Sequence, residues 1–144
     1  GAARGAGVSV PRAPRELIEG PMQKDPDYRR LLRAYEKTPS TDNLLELGKF
    51  LVGKSDARAE RIFREALAHD PNHTKTLATY AIFLETVKED FDAAEEHYRA
   101  ASRSGLPVHL HNYAQFLRNV RRDEERARRV ELAAESSVSS SVDH

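Results

Sequence analysis

Two pairs of closely spaced histidines are, by residue type, the best candidates for metal ligands in this sequence. His69 and His73 are four residues apart, the spacing that puts two imidazoles on one face of a helix, and His109 and His111 are two apart. Pro71 lies between the first two and interrupts a helix there, and neither pair has an acidic third ligand at a suitable spacing. The chain has no cysteine to complete a site. We therefore expect no metal site.

Sequence motifs for catalysis are missing as well. The chain has no glycine-flanked nucleophile elbow, no phosphate-binding P-loop and no dinucleotide-binding glycine motif. The absence of cysteine also removes thiolate nucleophiles and disulfide frameworks. Serine, histidine and aspartate are present, as in any chain this polar, but no spacing connects them into a triad. We expect no catalytic residues, no cofactor and a protein that is not an enzyme.

An arginine-rich segment near the C-terminal end could contact phosphate or an acidic peptide. Its arginines are Arg118, Arg121, Arg122, Arg126, Arg128 and Arg129, and the acids among and after them are Asp123, Glu124, Glu125 and Glu131. This mixture favours a solvated helix surface crossed by ion pairs. Over the whole chain, 23 lysines and arginines balance 23 aspartates and glutamates. The overall charge therefore gives no attraction to nucleic acid or to an anionic membrane.

The elements that position these residues are indicated by an eight-residue segment that occurs three times. LLELGKFL, LATYAIFL and LHNYAQFL end at Leu51, Leu84 and Leu117, each 33 residues after the one before. Their apolar residues recur at helical spacing, and no segment alternates with a period of two. The sequence therefore predicts an all-α fold with a repeated unit and without strands.

Capping signals and periodicity predict about seven helices. Asp25 is a suitable N-cap before Pro26, and Gly53 and Gly105 are suitable residues for helix ends. The first predicted helix begins at Pro26 and ends before Pro39. The other six span 41–52, 56–69, 74–87, 91–104, 107–120 and 124 to about 135. We expect one folded domain at 25–136, made of a half-repeat at 25–38 and repeats at 41–73, 74–106 and 107–136. Residues 1–24 and 137–144 are expected to be disordered or extended tails.

This pattern resembles the tetratricopeptide repeat (TPR), a helix pair with a period of 34 residues. The first helix of the family has a large residue, then Leu-Gly, then an aromatic residue, and the second has alanine, an aromatic residue, alanine and proline. In the first helices, the matching positions are Leu44, Gly48 and Leu51 in the first repeat, Leu77, Ala81 and Leu84 in the second, and Leu110, Ala114 and Leu117 in the third. In the second helices, they are Ala59, Phe63, Ala66 and Pro71 in the first repeat and Ala94, Tyr98 and Ala101 in the second. Glu131 replaces the aromatic residue of the third repeat, so we expect the last helix to act as a polar cap.

The resemblance implies a right-handed solenoid of antiparallel helix pairs that serves as a protein interaction scaffold. In such stacks the first helix of each pair lines a concave groove, which implies a partner-binding set of Leu45, Lys49, Lys75, Ala78, Ile82, Glu85, His111, Gln115 and Arg118. We expect a peptide or a partner helix to press apolar side chains against Leu45, Ala78 and Ile82. The proline-rich N-terminal tail of the same chain is another candidate occupant. The residues do not match the carboxylate clamp by which some family members hold chaperone C-termini.

A second family resemblance implies a different function. The sequence motifs YAxFL and AERIFREAL are similar to those of the half-a-tetratricopeptide (HAT) repeats of RNA-processing scaffolds. This alternative is a component of a ribonucleoprotein assembly, with Arg121, Arg122, Arg128 and Arg129 contacting phosphate. A third hypothesis is that repeat ends stack between copies into a larger assembly.

The apolar segments are all too short for a membrane span. None approaches the roughly 20 residues needed to cross a bilayer, so we expect a soluble protein without a membrane partner. The absence of cysteine fits a reducing compartment and favours the cytoplasm. The arginine-rich, acid-poor start of the chain is also typical of the end of an organelle transit peptide, which makes organelle import the alternative.

Overall fold

The computed structural model describes residues 24–142 as seven helices without strands, with side chains up to residue 136. Within these residues, the predicted all-α fold of helix pairs is confirmed. The chain divides into two compact units, the first ending at Thr76 and the second beginning at Leu77. The predicted N-terminal tail lies outside the described residues except for Lys24.

The first unit contains three helices, of which the first two begin after a side-chain cap. They are α1 (Pro26–Lys37), α2 (Thr41–Gly53) and α3 (Arg58–His69). The Asp25 carboxylate accepts hydrogen bonds from the backbone N–H groups of Asp27 and Tyr28, at 2.9 and 3.3 Å, and Ser40 Oγ accepts one from Asn43 N at 3.0 Å. These bonds satisfy N–H groups that have no partner within the helix. Helix α2 packs against both α1 and α3.

Gly48 marks the closest approach of α2 and α3. A Cβ atom at this position would lie 2.7 Å from Cε1 of Phe63 and 3.2 Å from Cγ2 of Ile62. Both of those side chains are fully buried. The small residue in the middle of the first repeated segment is therefore needed because the two helices pack too closely to hold a larger one.

The second unit contains the remaining helix pairs, and the boundary between the units falls within α4. Its helices are α4 (Thr74–Phe83), which continues as a π-helical turn (Leu84–Lys88), α5 (Phe91–Ser102), α6 (Pro107–Asn119) and α7 (Glu124–Val142). Helix α6 packs against α5 and α7, and the π-turn packs against α5. The buried side chains include Ala94, Tyr98, Phe116, Leu117 and Ala127.

Three helix ends differ from those predicted. Gly53 is the last residue of α2, and the left-handed conformation is adopted two residues later by Ser55, at φ 55°. Helix α4 ends in a π-turn, followed by Glu89 at φ 54°. Helix α7 continues to Val142, past its predicted end near Glu135, because no glycine or proline interrupts the segment. None of the helices within residues 24–142 combines the length and apolar composition of a membrane span.

Candidate functional site

A cleft in the second unit collects side chains from helices α4, α5 and α6. Its volume is about 350 Å³, and it is lined by Ile82, Glu85, Tyr98, His111, Asn112, Gln115, Phe116 and Asn119. We call it the Glu85 cleft. Helices α4 and α6 correspond to the first helices of the second and third predicted repeats.

Two packed aromatic rings fix the position of the carboxylate in the cleft. Tyr98 and Phe116 are 4% and 1% exposed, with ring centroids 5.1 Å apart. The Tyr98 hydroxyl donates a hydrogen bond to Oε1 of Glu85 at 2.8 Å. Burial, together with this bond to a carboxylate, raises the pKa of Tyr98, so the hydroxyl remains a donor. The Glu85 side chain is therefore held by a group that does not neutralise its charge.

Polar side chains one turn apart on α6 form a hydrogen-bonded row along the cleft. Asn119 Nδ2 donates to Gln115 Oε1 at 3.3 Å, and Gln115 Nε2 donates to Nε2 of His111 at 3.1 Å. The half-buried Asn112 carboxamide forms no hydrogen bond with another described residue. Its donors and acceptor are open to a ligand.

The charge of the Glu85 cleft is unbalanced. Glu85 is its carboxylate, and no lysine or arginine belongs to its described lining. Glu85 forms no ion pair with any residue that the structure describes. Beside it, the apolar side chain of Ile82 is 44% exposed. The cleft thus combines a free negative charge, carboxamide groups and a small apolar contact surface.

A second polar cluster in the same unit is centred on the buried carboxylate of Glu95, which is 6% exposed. It accepts hydrogen bonds from Arg121 Nε at 2.7 Å, from the Tyr113 hydroxyl and Arg99 Nη2 at 2.9 Å each, and from Arg126. Burial alone would raise the pKa of Glu95, but the bonds from Arg121, Arg126 and Tyr113 outweigh it and hold the pKa at about 2. This carboxylate joins α5, α6, α7 and the segment before α7, so its role is structural.

The arginine-rich segment is ion-paired in the structure, as its mixed charges predict. Arg121 also contacts Asp92 at 2.8 Å, and Arg118 bonds Glu124 at 2.8 Å and Glu131 at 2.7 Å. On the exposed face of α7, the side chains of Arg128 and Arg129 lie 3.5 and 3.7 Å from glutamates one turn earlier. Arginine charge in this segment is therefore mostly compensated within the chain.

The predicted partner-binding residues are found in different surroundings. Four line the Glu85 cleft, namely Ile82, Glu85, His111 and Gln115. Leu45 and Ala78 are 3% and 6% exposed and leave almost no surface for a partner, so they are not part of the proposal below. Lys49 and Lys75 are exposed, Lys49 pairs with Glu46 at 3.3 Å, and Arg118 is held by its two glutamates.

Sequence reasoning assigned Tyr98 to packing alone and did not include Asn119. The signal for Asn119 was its position one helical turn after Gln115 on the same face of α6. For Tyr98 no sequence signal was available, because its contact with Glu85 joins residues 13 positions apart.

Three of the four candidate metal ligands, His69, His73 and His111, have polar contacts within the chain, whereas the buried Nδ1 of His109 has no hydrogen-bond partner among the described residues. His73 Nδ1 lies 2.8 Å from Thr76 Oγ1, and its Nε2 lies 3.0 Å from Oδ1 of Asp42. His69 lies 3.5 Å from Glu65. No group of three or more histidine, aspartate or glutamate side chains in the described residues is arranged to hold a metal ion.

Comparison with known families identifies the repeat. A family model described as TmcB, TPR repeats matches residues 29–106, more than half of the 144 residues. No curated protein is similar enough to count as a match. The matched segment runs from the first turn of α1 to the link before α6. TPR repeats generally mediate protein interactions and are typically non-catalytic scaffolds. The chain therefore belongs to the TmcB family of TPR repeats.

Proposed function

We propose that this TPR scaffold binds an extended segment of a partner protein in the Glu85 cleft. The observation that carries the proposal is the combination, in one cleft, of an exposed apolar side chain with carboxamides that have hydrogen-bonding capacity left. The TPR resemblance adds that the first helix of each pair lines the groove that binds partners, and α4 and α6 are such helices.

The chemistry of the cleft suits a polypeptide in extended conformation. Such a segment presents one N–H and one C=O group per residue, and a carboxamide both donates and accepts. The side chain of Asn112 is open to both kinds of bond, and the hydrogen-bonded carboxamides of Gln115 and Asn119 lie in the same cleft on α6. Ile82 offers the apolar contact that an alternate side chain of the segment needs.

The test is selection of a phage-displayed random peptide library on the full chain, followed by calorimetry with the enriched peptides as synthetic ligands. We expect Asn112→Ala combined with Gln115→Ala to weaken binding by about tenfold or more, equivalent to ~1.4 kcal/mol. Asn72→Ala is the control, because Asn72 is an exposed amide in the link before α4, outside the cleft. Enriched peptides that bind the double variant as tightly as the wild type would show that the partner binds elsewhere.

The RNA-scaffold alternative receives no support from the described contacts. Arg121, Arg128 and Arg129 are paired with carboxylates, and only Arg122 of the four candidate residues forms no ion pair with a described residue. Binding of RNA with an affinity that falls steeply with salt concentration would favour this alternative.

A further inference from the structure

We infer that the Glu85 cleft selects partner segments that carry a lysine or arginine side chain, whose charged end pairs with Glu85. This inference rests on the proposed function, since it names the chemistry of the segment that the cleft binds. An adjacent apolar side chain of the same segment would contact Ile82, which is exposed next to the carboxylate.

The first support comes from comparing Glu85 with similar carboxylates. Among the described residues of the second unit, four carboxylate side chains are buried or half-buried, namely Glu85, Glu95, Asp123 and Glu131. Three of them pair with arginine: Glu95 with Arg121, Asp123 with Arg126 and Glu131 with Arg118. Glu85 alone has no cationic partner among the described residues. Removing a carboxylate from water without a cation is unfavourable, so a cation from a ligand is favoured there.

The hydrogen bonding of Glu85 leaves one oxygen open. Oε1 accepts the Tyr98 hydroxyl at 2.8 Å, whereas Oε2 has no hydrogen-bond donor among the described residues. The bond from Tyr98 restricts the side chain before a ligand arrives, which lowers the entropy lost on binding. A guanidinium or ammonium group would then form a charge-assisted hydrogen bond with Oε2.

The surroundings of Glu85 do not supply a competing cation. Arg118, further along α6, bonds Glu124 and Glu131 with three of its guanidinium nitrogens. The Nε2 atom of His111 lies 3.1 Å from Nε2 of Gln115, so the ring is engaged with a neighbour on α6 and not with Glu85. The cleft therefore attracts a basic side chain and disfavours an acidic one, and it has the opposite charge preference to a site built to hold a carboxylate.

The test uses the peptides enriched from the random library on the wild-type chain. We expect lysine or arginine to be enriched at one position, and replacement of that residue by norleucine or citrulline to weaken binding by about tenfold or more. Glu85→Gln should reduce this difference to less than about threefold. The glutamine keeps an oxygen to accept the Tyr98 hydroxyl, so the variant tests charge with little change in packing.

The matched control is Glu96→Gln, which removes a negative charge from an exposed residue of α5 outside the Glu85 cleft. Its preference for the basic peptide should equal that of the wild type. Enriched peptides without a basic residue, or an equal loss of preference in both variants, would overturn the inference even if binding still required Asn112 and Gln115. Failure of the library to yield any cleft-dependent peptide would instead overturn the proposed function and this inference with it.

Discussion

Replacement of Glu95 by glutamine should destabilise the second unit by about 2–3 kcal/mol. Two considerations give this magnitude. A folded-state pKa of about 2, against an ordinary value of 4.5, corresponds to ~3 kcal/mol of differential stabilisation of the ionised form. Removing one partner of a buried ion pair costs roughly 3–5 kcal/mol, but Arg99, Arg121 and Arg126 are 52%, 30% and 36% exposed and regain water. The lower part of that range therefore applies.

The effect should depend on pH in a defined direction. Because the pKa of Glu95 is lowered on folding, the unfolded chain binds its proton at higher pH than the folded chain does. The stabilisation is fully present above the ordinary value of 4.5 and is lost as the pH falls toward 2. The difference between wild type and Glu95→Gln should therefore shrink over that interval and be close to zero at its lower end. Other acids titrate in both proteins and cancel in the difference.

The assay is residue-resolved amide hydrogen exchange of α5, α6 and α7, which reports on the second unit by itself. Glu96→Gln is the control on the same helix, where an exposed position should change stability by less than about 0.5 kcal/mol. If Glu95→Gln were no more destabilising than this control at neutral pH, the reasoning that Glu95 joins three helices would be refuted. A difference that persisted unchanged at pH 2 would refute the assignment to ionisation.

The remaining predictions concern packing. Gly48→Ala should destabilise the first unit by about 1 kcal/mol net, because its Cβ would lie 2.7 Å from the buried ring of Phe63, and the cost of overpacking, roughly 1–3 kcal/mol, exceeds the gain in helix propensity. Unchanged amide exchange in α2 and α3 would show that the ring has room to move. Tyr80→Ala should cost about 3–5 kcal/mol, since Tyr80 is 5% exposed and its ring centroid lies 4.8 Å from that of His97. An unchanged melting temperature would contradict this.

The helix starts were predictable because their signals are local. Asp25 and Pro26 act as cap and first residue of α1, as their types indicate. The end of α7 was less predictable, since a serine-rich composition suggested a tail while the absence of glycine and proline permitted a helix. The π-turn could not be read from the sequence, because its apolar spacing is compatible with an ordinary helix over so short a segment.

The candidate site was predictable in part, because helical periodicity identifies a face but not its depth. The TPR resemblance indicated Ile82, Glu85, His111 and Gln115, which do share the cleft. Periodicity did not reveal that Leu45 is buried, since burial depends on how closely neighbouring helices approach.

The role of Glu95 depends on partners distant in sequence. Its bond with Arg126 joins residues 31 positions apart. One signal was present, because Glu95 lies four residues after Phe91 and three before Tyr98, on the apolar face of α5. A charged residue at such a position indicates that the fold must provide opposite charges.

The π-turn at Leu84–Lys88 has a consequence for alignment and design. In this turn the N–H of Glu89 bonds to the carbonyl of Leu84, so the loop of backbone holds one residue more than an α-helical turn does. The helix thereby accommodates one extra residue, and the side chains of its preceding turns keep their direction. An alignment of this repeat with the preceding one needs no gap there, because α3 begins seven residues after Leu51 and α5 begins seven residues after Leu84. The following link is correspondingly shorter, with two residues before α5 against four before α3, so a design that replaces the π-turn with an ordinary helix end should lengthen this link.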